Sequence, residues 1–150
     1  MDAQAKDERI EAFRQLCRAR GLALTPQRRA ILRAVLDLAD HPTADRVHAA
    51  LGRRRVRVSR ATVFRTLESF ARLGIIAKAC HPGSSIRYDR RTDRHHHLVC
   101  LRCDRVVDIS DARLDALPVP DTRSFGFVVS DFKVQLRGIC KECREQEDKR

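Results

Sequence analysis

The fold of this chain is decided by residues 59–90, whose sequence is SRATVFRTLESFARLGIIAKACHPGSSIRYDR. Ser59 is a typical helix N-cap, Gly74 is a typical residue at a helix end, and the apolar residues between them recur at helical spacing. Two short strands are predicted after this helix, at residues 75–79 and 86–90. The stretch therefore predicts a helix followed by a β-hairpin.

The apolar and polar residues of this helix fall on opposite faces. The residues predicted to face the core are Val63, Phe64, Leu67, Phe70 and Ala71. The residues predicted to face outward are Thr62, Arg65, Ser69 and Arg72. Between the two strands, Pro82-Gly83-Ser84-Ser85 is interpreted as a turn, with Cys80-His81 beside it facing solvent.

Three further helices are predicted before this one. Residues 4–20 carry apolar side chains at helical spacing, Thr25-Pro26 begins a second helix that ends at His41-Pro42, and Thr43 caps a third. Several helices followed by a hairpin is the order of a winged helix-turn-helix, in which the helix before the wing enters the major groove of DNA.

The positive charge is concentrated in the same half of the chain. Residues 1–90 contain 19 Lys and Arg against 9 Asp and Glu, whereas residues 91–150 contain 12 against 11, for a formal net charge of +11. Such a basic domain is typical of nucleic-acid binding, because neutralising phosphates releases counterions. A merely solubilising surface charge is the alternative interpretation.

The chain carries no sign of export or of membrane insertion. Its N-terminal sequence, MDAQAKDERIEAF, is polar, and no apolar run approaches the ~18 residues that a membrane span requires. We therefore expect a cytoplasmic protein, in which the six cysteines are reduced rather than disulfide-bonded.

Four of those cysteines form two Cys-x2-Cys pairs, Cys100/Cys103 and Cys140/Cys143. Four thiolates in two such pairs can complete a tetrahedral zinc site, so we predict one structural zinc ion. The alternatives are a redox dithiol or unrelated buried thiols, but a redox dithiol needs only one such pair.

Three histidines, His95, His96 and His97, precede the first pair. In an extended strand His95 and His97 point to one face, whereas His96 and Cys100 point to the other. The His95/His97 pair should therefore not share the zinc ion, and a second, separate metal site is predicted. His48, His81 and His96 are interpreted as structural or exposed.

The second half of the chain is predicted to be a small α+β domain of short strands. These strands are expected at residues 95–101, 105–109, 125–130 and 132–138, with a weak helix at 111–117. We predict a DNA-binding domain at residues 1–90 and a metal-binding domain at residues 91–150, joined by a hinge near residues 89–94.

Taken together, these segments resemble the ferric uptake regulator superfamily over residues ~10–145. The resemblance is carried by GLALTPQRRAIL, the HPTAD segment that begins at His41, SRATVFRTLESFARLGI, IRYD, HHHLVCLRCDRVVDI and GICKEC. It implies a homodimeric, metal-dependent repressor with an N-terminal winged helix, a C-terminal dimerisation domain and a palindromic double-stranded DNA operator.

The resemblance also implies the ligands of the regulatory metal, which are His41, Asp89, His95, His97 and Asp108. The two aspartates are similar to the peroxide-sensing branch of the superfamily, in which bound Fe(II) reacts with peroxide and Mn(II) represses without sensing. His41 and His95 are the expected sites of oxidation. An iron- or zinc-uptake regulator that responds only to metal level is the alternative.

DNA contacts are expected from Arg60, Thr62, Phe64 and Arg65. Phe64 replaces the tyrosine usual in this family, and Ala23 stands where many members have Lys or Arg. The operator is therefore expected to differ from the sequence that is common in the family. A zinc enzyme and a zinc-stabilised interaction module are the rival classes, but the chain has no phosphate-binding glycine loop and no zinc-deaminase motif.

Overall fold

The computed structural model describes residues 3–38, 41–79 and 85–147. The chain divides into two compact units, Met1–Thr92 and Asp93–Arg150, beside the predicted boundary at residues 90 and 91. Of the predicted turn at residues 82–85, residues 82–84 lie outside the described residues, and so do the neighbouring Cys80-His81. In the described part of the chain, no helix is both long and apolar enough to cross a membrane.

The first unit consists of four helices and a hairpin, in the predicted order. The helices are α1 (Ala3–Ala19), α2 (Pro26–Asp37), α3 (Ala44–Arg53) and α4 (Arg60–Arg72), and the strands are β1 (Ala77–Ala79) and β2 (Arg87–Asp89). The side chains of Thr25, Thr43 and Ser59 each accept a hydrogen bond from the backbone N–H three residues later, so all three predicted N-caps are confirmed.

The core of this unit is formed by the apolar faces of the helices. Its central contact joins Phe13 of α1 to Phe70 of α4, whose rings lie edge to face with centroids 4.9 Å apart. Ile31, Leu36 and Leu67 are fully buried around them, and each such side chain contributes about 1.5–3 kcal/mol. This packing fixes α4 against the other helices.

The predicted core position of Phe64 is wrong, because its side chain is 42% exposed. Thr66 takes a buried position of α4 instead, at 7% exposure. The apolar character of Phe64 suggested burial. The face of α4 that packs against the other helices is instead formed by Thr66, Leu67 and Phe70. The ring of Phe64 therefore lies on the outer surface of α4.

The second unit is built on a three-stranded sheet of order β4-β3-β5. β3 (His96–Cys100) pairs antiparallel with β4 (Val106–Ile109) and parallel with β5 (Gln135–Gly138). A short helix, α5 (Ala112–Asp115), lies between β4 and β5 in sequence, and α6 (Lys141–Glu147) follows β5. Helix α6 was not predicted.

The strand predicted at residues 125–130 is wrong. These residues are all described, and they form no strand; a 3-10 turn, Arg123–Phe125, ends at Gly126, which has a left-handed φ of 75°. Both edges of β3 are already paired, and Phe127 and Val128 are 68% and 93% exposed. High strand propensity alone does not form a strand when the segment makes no cross-strand pairs and its apolar side chains are not buried.

Candidate metal centres and DNA-contact surface

The two Cys-x2-Cys pairs meet at one end of the sheet. Because β3 and β5 run parallel, with Cys100 opposite Gly138, the cysteine pairs that follow the two strands emerge at the same edge. The Sγ atoms of the four cysteines all lie within 4.8 Å of one another, and those of Cys103 and Cys140 are 3.7 Å apart. The geometry matches the four-thiolate ligand set of a structural zinc ion.

Two arginines hold the second pair beside the first. Arg102, between the first two cysteines, donates a hydrogen bond from Nη1 to the carbonyl oxygen of Cys143 at 3.1 Å. Arg105 donates from Nη1 to Oε1 of Glu142 at 2.6 Å. Both contacts connect the turn after β3 to the start of α6, so the thiols are positioned by the protein itself.

The four thiols are electrostatically unequal. Backbone N–H groups of Cys103 and Cys140 lower the pKa of the Cys100 thiol to about 6. Hydrogen bonding to Cys140 and burial raise the pKa of Cys143 to about 12. Adjacent thiolates repel one another, and a divalent cation among them removes this repulsion and favours ionisation of all four.

A second group of metal-ligand side chains lies at the start of β3 and on β4. The Nε2 atoms of His95 and His97 are 3.1 Å apart, and they lie 3.7 and 3.8 Å from Oδ1 of Asp108. His97 and Asp108 are register partners across the two strands, which explains their proximity. The Nδ1 atom of His95 lies 2.8 Å from the carbonyl oxygen of Asp93, an arrangement that orients Nε2 toward the cluster.

The first unit contains its own pair of ligand side chains, His41 and Asp89. Nε2 of His41 lies 3.5 Å from Oδ2 of Asp89, and the two side chains are 3% and 1% exposed. His41 has a left-handed φ of 47°, which is uncommon for a residue other than glycine. The backbone N–H of Arg91 donates to Oδ1 of Asp89 at 2.7 Å and orients that carboxylate.

His96 faces away from these ligands, as strand alternation predicted. It is fully buried, its Nδ1 accepts a hydrogen bond from the backbone N–H of Val134 at 3.0 Å, and its Nε2 lies 3.2 Å from Oδ1 of Asp115. The structural interpretation of His96 therefore fits its contacts.

The predicted DNA-contact residues lie on the exposed side of α4. Arg65 and Thr62 line a surface cleft of about 550 Å³ together with Gln27 and Arg28 of α2. Arg60 and Phe64 line a second cleft beside β2, where Nη2 of Arg60 donates to Oδ2 of Asp45 at 2.7 Å. Arg65 therefore lines the first cleft, whereas the guanidinium of Arg60 pairs with Asp45 of α3.

One polar cluster of the first unit was missed by the sequence analysis. Tyr88 of β2 is fully buried, and its hydroxyl donates to Oε1 of Glu68 in α4 at 2.8 Å. Oε2 of the same carboxylate accepts from Nζ of Lys78 in β1 at 2.7 Å. The only signal in the sequence was a tyrosine in a short strand, which is ordinarily interpreted as apolar packing.

Comparisons with known proteins agree with this architecture. A model of the Ferric uptake regulator family matches residues 19–137. The chain is 32% identical over 145 residues to the peroxide-responsive repressor PerR of Staphylococcus epidermidis, and the match covers 97% of each chain.

Two solved structures are similar in fold. The ferric uptake regulator from Francisella tularensis with iron has a TM-score of 0.71 at 26% identity, over 83% of this chain and 96% of that one. A zinc-bound manganese uptake regulator has a TM-score of 0.66 at 30% identity, over 85% and 97% of the two chains.

The predicted fold class and the resemblance are confirmed, and the family consists of transcription regulators rather than enzymes. The structure contains both predicted kinds of ligand, a four-cysteine cluster suited to zinc and His/Asp groups suited to iron or manganese. The chain belongs to the Ferric uptake regulator family, and is a metal-responsive regulator with an N-terminal DNA-binding domain and a C-terminal dimerisation domain.

Proposed function

We propose that this protein is a homodimeric repressor that binds a palindromic operator when Fe(II) or Mn(II) occupies its regulatory site, and that peroxide releases the iron-loaded form from DNA. The observation that carries the proposal is the separation of ligand types. The histidine and aspartate ligands contain no thiol, whereas the cysteines form a cluster of their own. The likeness to a peroxide-responsive repressor over nearly the whole chain supports the peroxide response.

The proposed regulatory site takes ligands from both units. His41 and Asp89 would come from the first, and His95, His97 and Asp108 from the second. Three imidazoles and two carboxylates suit Fe(II) or Mn(II). An ion that needs ligands from both units favours one arrangement of the two over the others, and this differential affinity is what a population-shift switch requires.

The peroxide response is proposed to modify the ligands themselves. Bound Fe(II) supplies the reducing power that activates peroxide, and overall one oxygen atom of hydrogen peroxide is inserted at an imidazole C–H bond while water is released. His41 and His95 are the proposed acceptors. An oxidised ring is a poorer ligand, so the metal-dependent arrangement is lost. The cysteines remain zinc ligands throughout.

A metal-uptake regulator is the second candidate, and the likeness to an iron-containing ferric uptake regulator and to a manganese uptake regulator favours it. It has the same fold and ligands but no oxidation chemistry. Operator binding by the zinc-loaded protein should be measured with Fe(II) and with Mn(II), before and after brief peroxide treatment. Peroxide should abolish binding by the iron form only, and survival of binding in both forms would select the uptake regulator.

A further inference from the structure

The hydroxyl of Tyr88 forms a direct polar connection between the hairpin and α4. The hydroxyl donates to Oε1 of Glu68 at 2.8 Å, and Oε2 of the same carboxylate accepts from Nζ of Lys78 at 2.7 Å. The phenol is therefore the donor, and a carboxylate that is already paired with Lys78 is the acceptor. Such charge-assisted O–H···O hydrogen bonds are roughly twice as strong as neutral ones.

Strand β2 is also attached to the segment that carries His41. The backbone N–H of Tyr88 donates to the carbonyl oxygen of Pro42 at 3.0 Å, and Nη1 of Arg87 donates to the carbonyl oxygen of His41 at 3.2 Å. Asp89 is the residue after Tyr88 and lies on the same strand. The segment that carries His41 is therefore attached to the strand that presents Tyr88, and Asp89 belongs to that strand.

At the other end of the connection, Glu68 lies beside the DNA-contact residues. It follows Arg65 by three positions and Phe64 by four, and residues at these spacings are neighbours on a helix surface. A displacement of β2 that moves the Tyr88 hydroxyl therefore acts on α4 within one turn of Arg65.

We propose that Tyr88 is a positioning residue that couples metal binding at His41 and Asp89 to the orientation of α4 on DNA. The inference rests on the proposed function, because it assumes that these two residues are ligands. Drawing His41 and Asp89 onto one ion fixes β2, and the Tyr88–Glu68 hydrogen bond then fixes α4. The coupling is reciprocal, so operator binding strengthens metal binding by the same factor.

The test compares operator affinity with and without Mn(II), using zinc-loaded wild-type protein and Tyr88→Phe. Removing the hydroxyl should lower the ratio of the two affinities about tenfold, while the affinity for Mn(II) in the absence of DNA changes by less than about twofold. In the presence of operator, the affinity for Mn(II) should fall by the same factor of about ten.

Two further variants separate coupling from structural support. Glu68→Gln keeps an acceptor for the tyrosine but not its charge, so it should lower the ratio less than Tyr88→Phe does, whereas Glu68→Met removes the acceptor and should behave as Tyr88→Phe. Lys78→Met removes the contact from β1, which carries no proposed ligand, and should weaken DNA binding equally with and without Mn(II).

The possible outcomes are distinct. If wild-type protein binds the operator equally with and without Mn(II), the proposed function itself is wrong. If wild type depends on Mn(II) and both Tyr88→Phe and Glu68→Met keep the wild-type ratio, the coupling role is refuted. It is refuted equally if these variants lose operator affinity to the same extent in both states, since that pattern indicates structural support alone.

Discussion

The Sγ atoms of Cys103 and Cys140 lie 3.7 Å apart, although 37 positions separate the two residues in sequence. The parallel pairing of β3 with β5 brings them together, and the hydrogen bond from Arg102 to the carbonyl oxygen of Cys143 keeps α6 beside the first pair. A site assembled by a sheet in this way ties the two ends of the second unit to each other. Its occupancy should therefore determine whether that unit folds.

We expect Cys140→Ser to lose the zinc ion and the dimer together. A unit of about 60 residues buries too little apolar surface to be stable without help, and zinc supplies folding free energy. Metal analysis and light scattering after size-exclusion chromatography measure the two properties. Cys17→Ala, which alters a buried thiol of the first unit, should leave zinc content unchanged, and a zinc-free Cys140→Ser that remained a folded dimer would contradict the prediction.

Asp108→Asn should weaken Mn(II) binding at least about tenfold and leave zinc content unchanged, because it replaces a charged ligand of the proposed regulatory site. Asp115→Asn is the matched control, since this carboxylate contacts His96 on the opposite side of β3. Titration with Mn(II), followed by paramagnetic resonance of the free ion, measures the affinity. Equal weakening by both substitutions would show that the effect is general to the strand.

The histidines beside these two aspartates show which features of the site can be predicted from the sequence: Asp108 lies beside His95 and His97, and Asp115 beside His96. Strand alternation separated His95 and His97 from His96, because side-chain direction in a strand has a fixed period of two. The N-caps Thr25 and Thr43 could also be predicted from the sequence, because a cap acts within three residues of its own position.

Features that depend on residues distant in sequence are harder to predict from the sequence. His41 and Asp89 lie 48 positions apart, and only the family resemblance indicated them as ligands. The hydrogen bond between Glu68 and Tyr88 spans 20 positions and leaves no periodic pattern. The exposure of Phe64 follows from its angular position on α4, which its apolar residue type does not indicate. Local rules describe the elements, whereas the site depends on how they are brought together.

On DNA, Arg65→Ala should reduce operator affinity by about 1–3 kcal/mol and relax base preference, because a bidentate arginine distinguishes guanine in the major groove. Arg60→Ala should have a smaller effect, since the guanidinium already pairs with Asp45. Binding to the operator and to random duplexes, compared at one salt concentration, checks both. Equal loss on the two duplexes would assign Arg65 to the phosphates instead.

The stability of the first unit should depend on the ionisation of Asp37. Burial opposes its ionisation, but hydrogen bonds from Lys6 and Arg54 outweigh burial and hold the pKa of Asp37 below its ordinary value. A lowered pKa in the folded state stabilises fully above the unfolded pKa of about 4, and the contribution is lost as pH falls through the folded value.

We therefore expect Asp37→Asn to lower the free energy of unfolding by about 1 kcal/mol at pH 7, and by progressively less below about pH 4. Urea denaturation at several pH values measures the difference. Asp7→Asn affects only an exposed pair with Arg33 and should change stability by less than about 0.5 kcal/mol. A difference for Asp37→Asn that stayed constant down to pH 3 would argue against an electrostatic origin.

Peroxide should leave a chemical mark on the ligands rather than on the thiols. After brief treatment of the iron-loaded protein, mass spectrometry should find one added oxygen atom on the peptide that contains His41 or on the peptide that contains His95, together with loss of operator binding. The manganese form should show neither change, because Mn(II) in the same ligand set is far less able to reduce peroxide.

The competing possibility is oxidation of the cysteine cluster, in which Cys103 is exposed and the pKa of Cys100 is lowered. Bound zinc protects thiolates from that reaction, so the zinc content should stay constant while DNA binding is lost. If zinc is released and the histidines remain intact, the thiolate cluster is the switch and the iron-dependent mechanism is wrong.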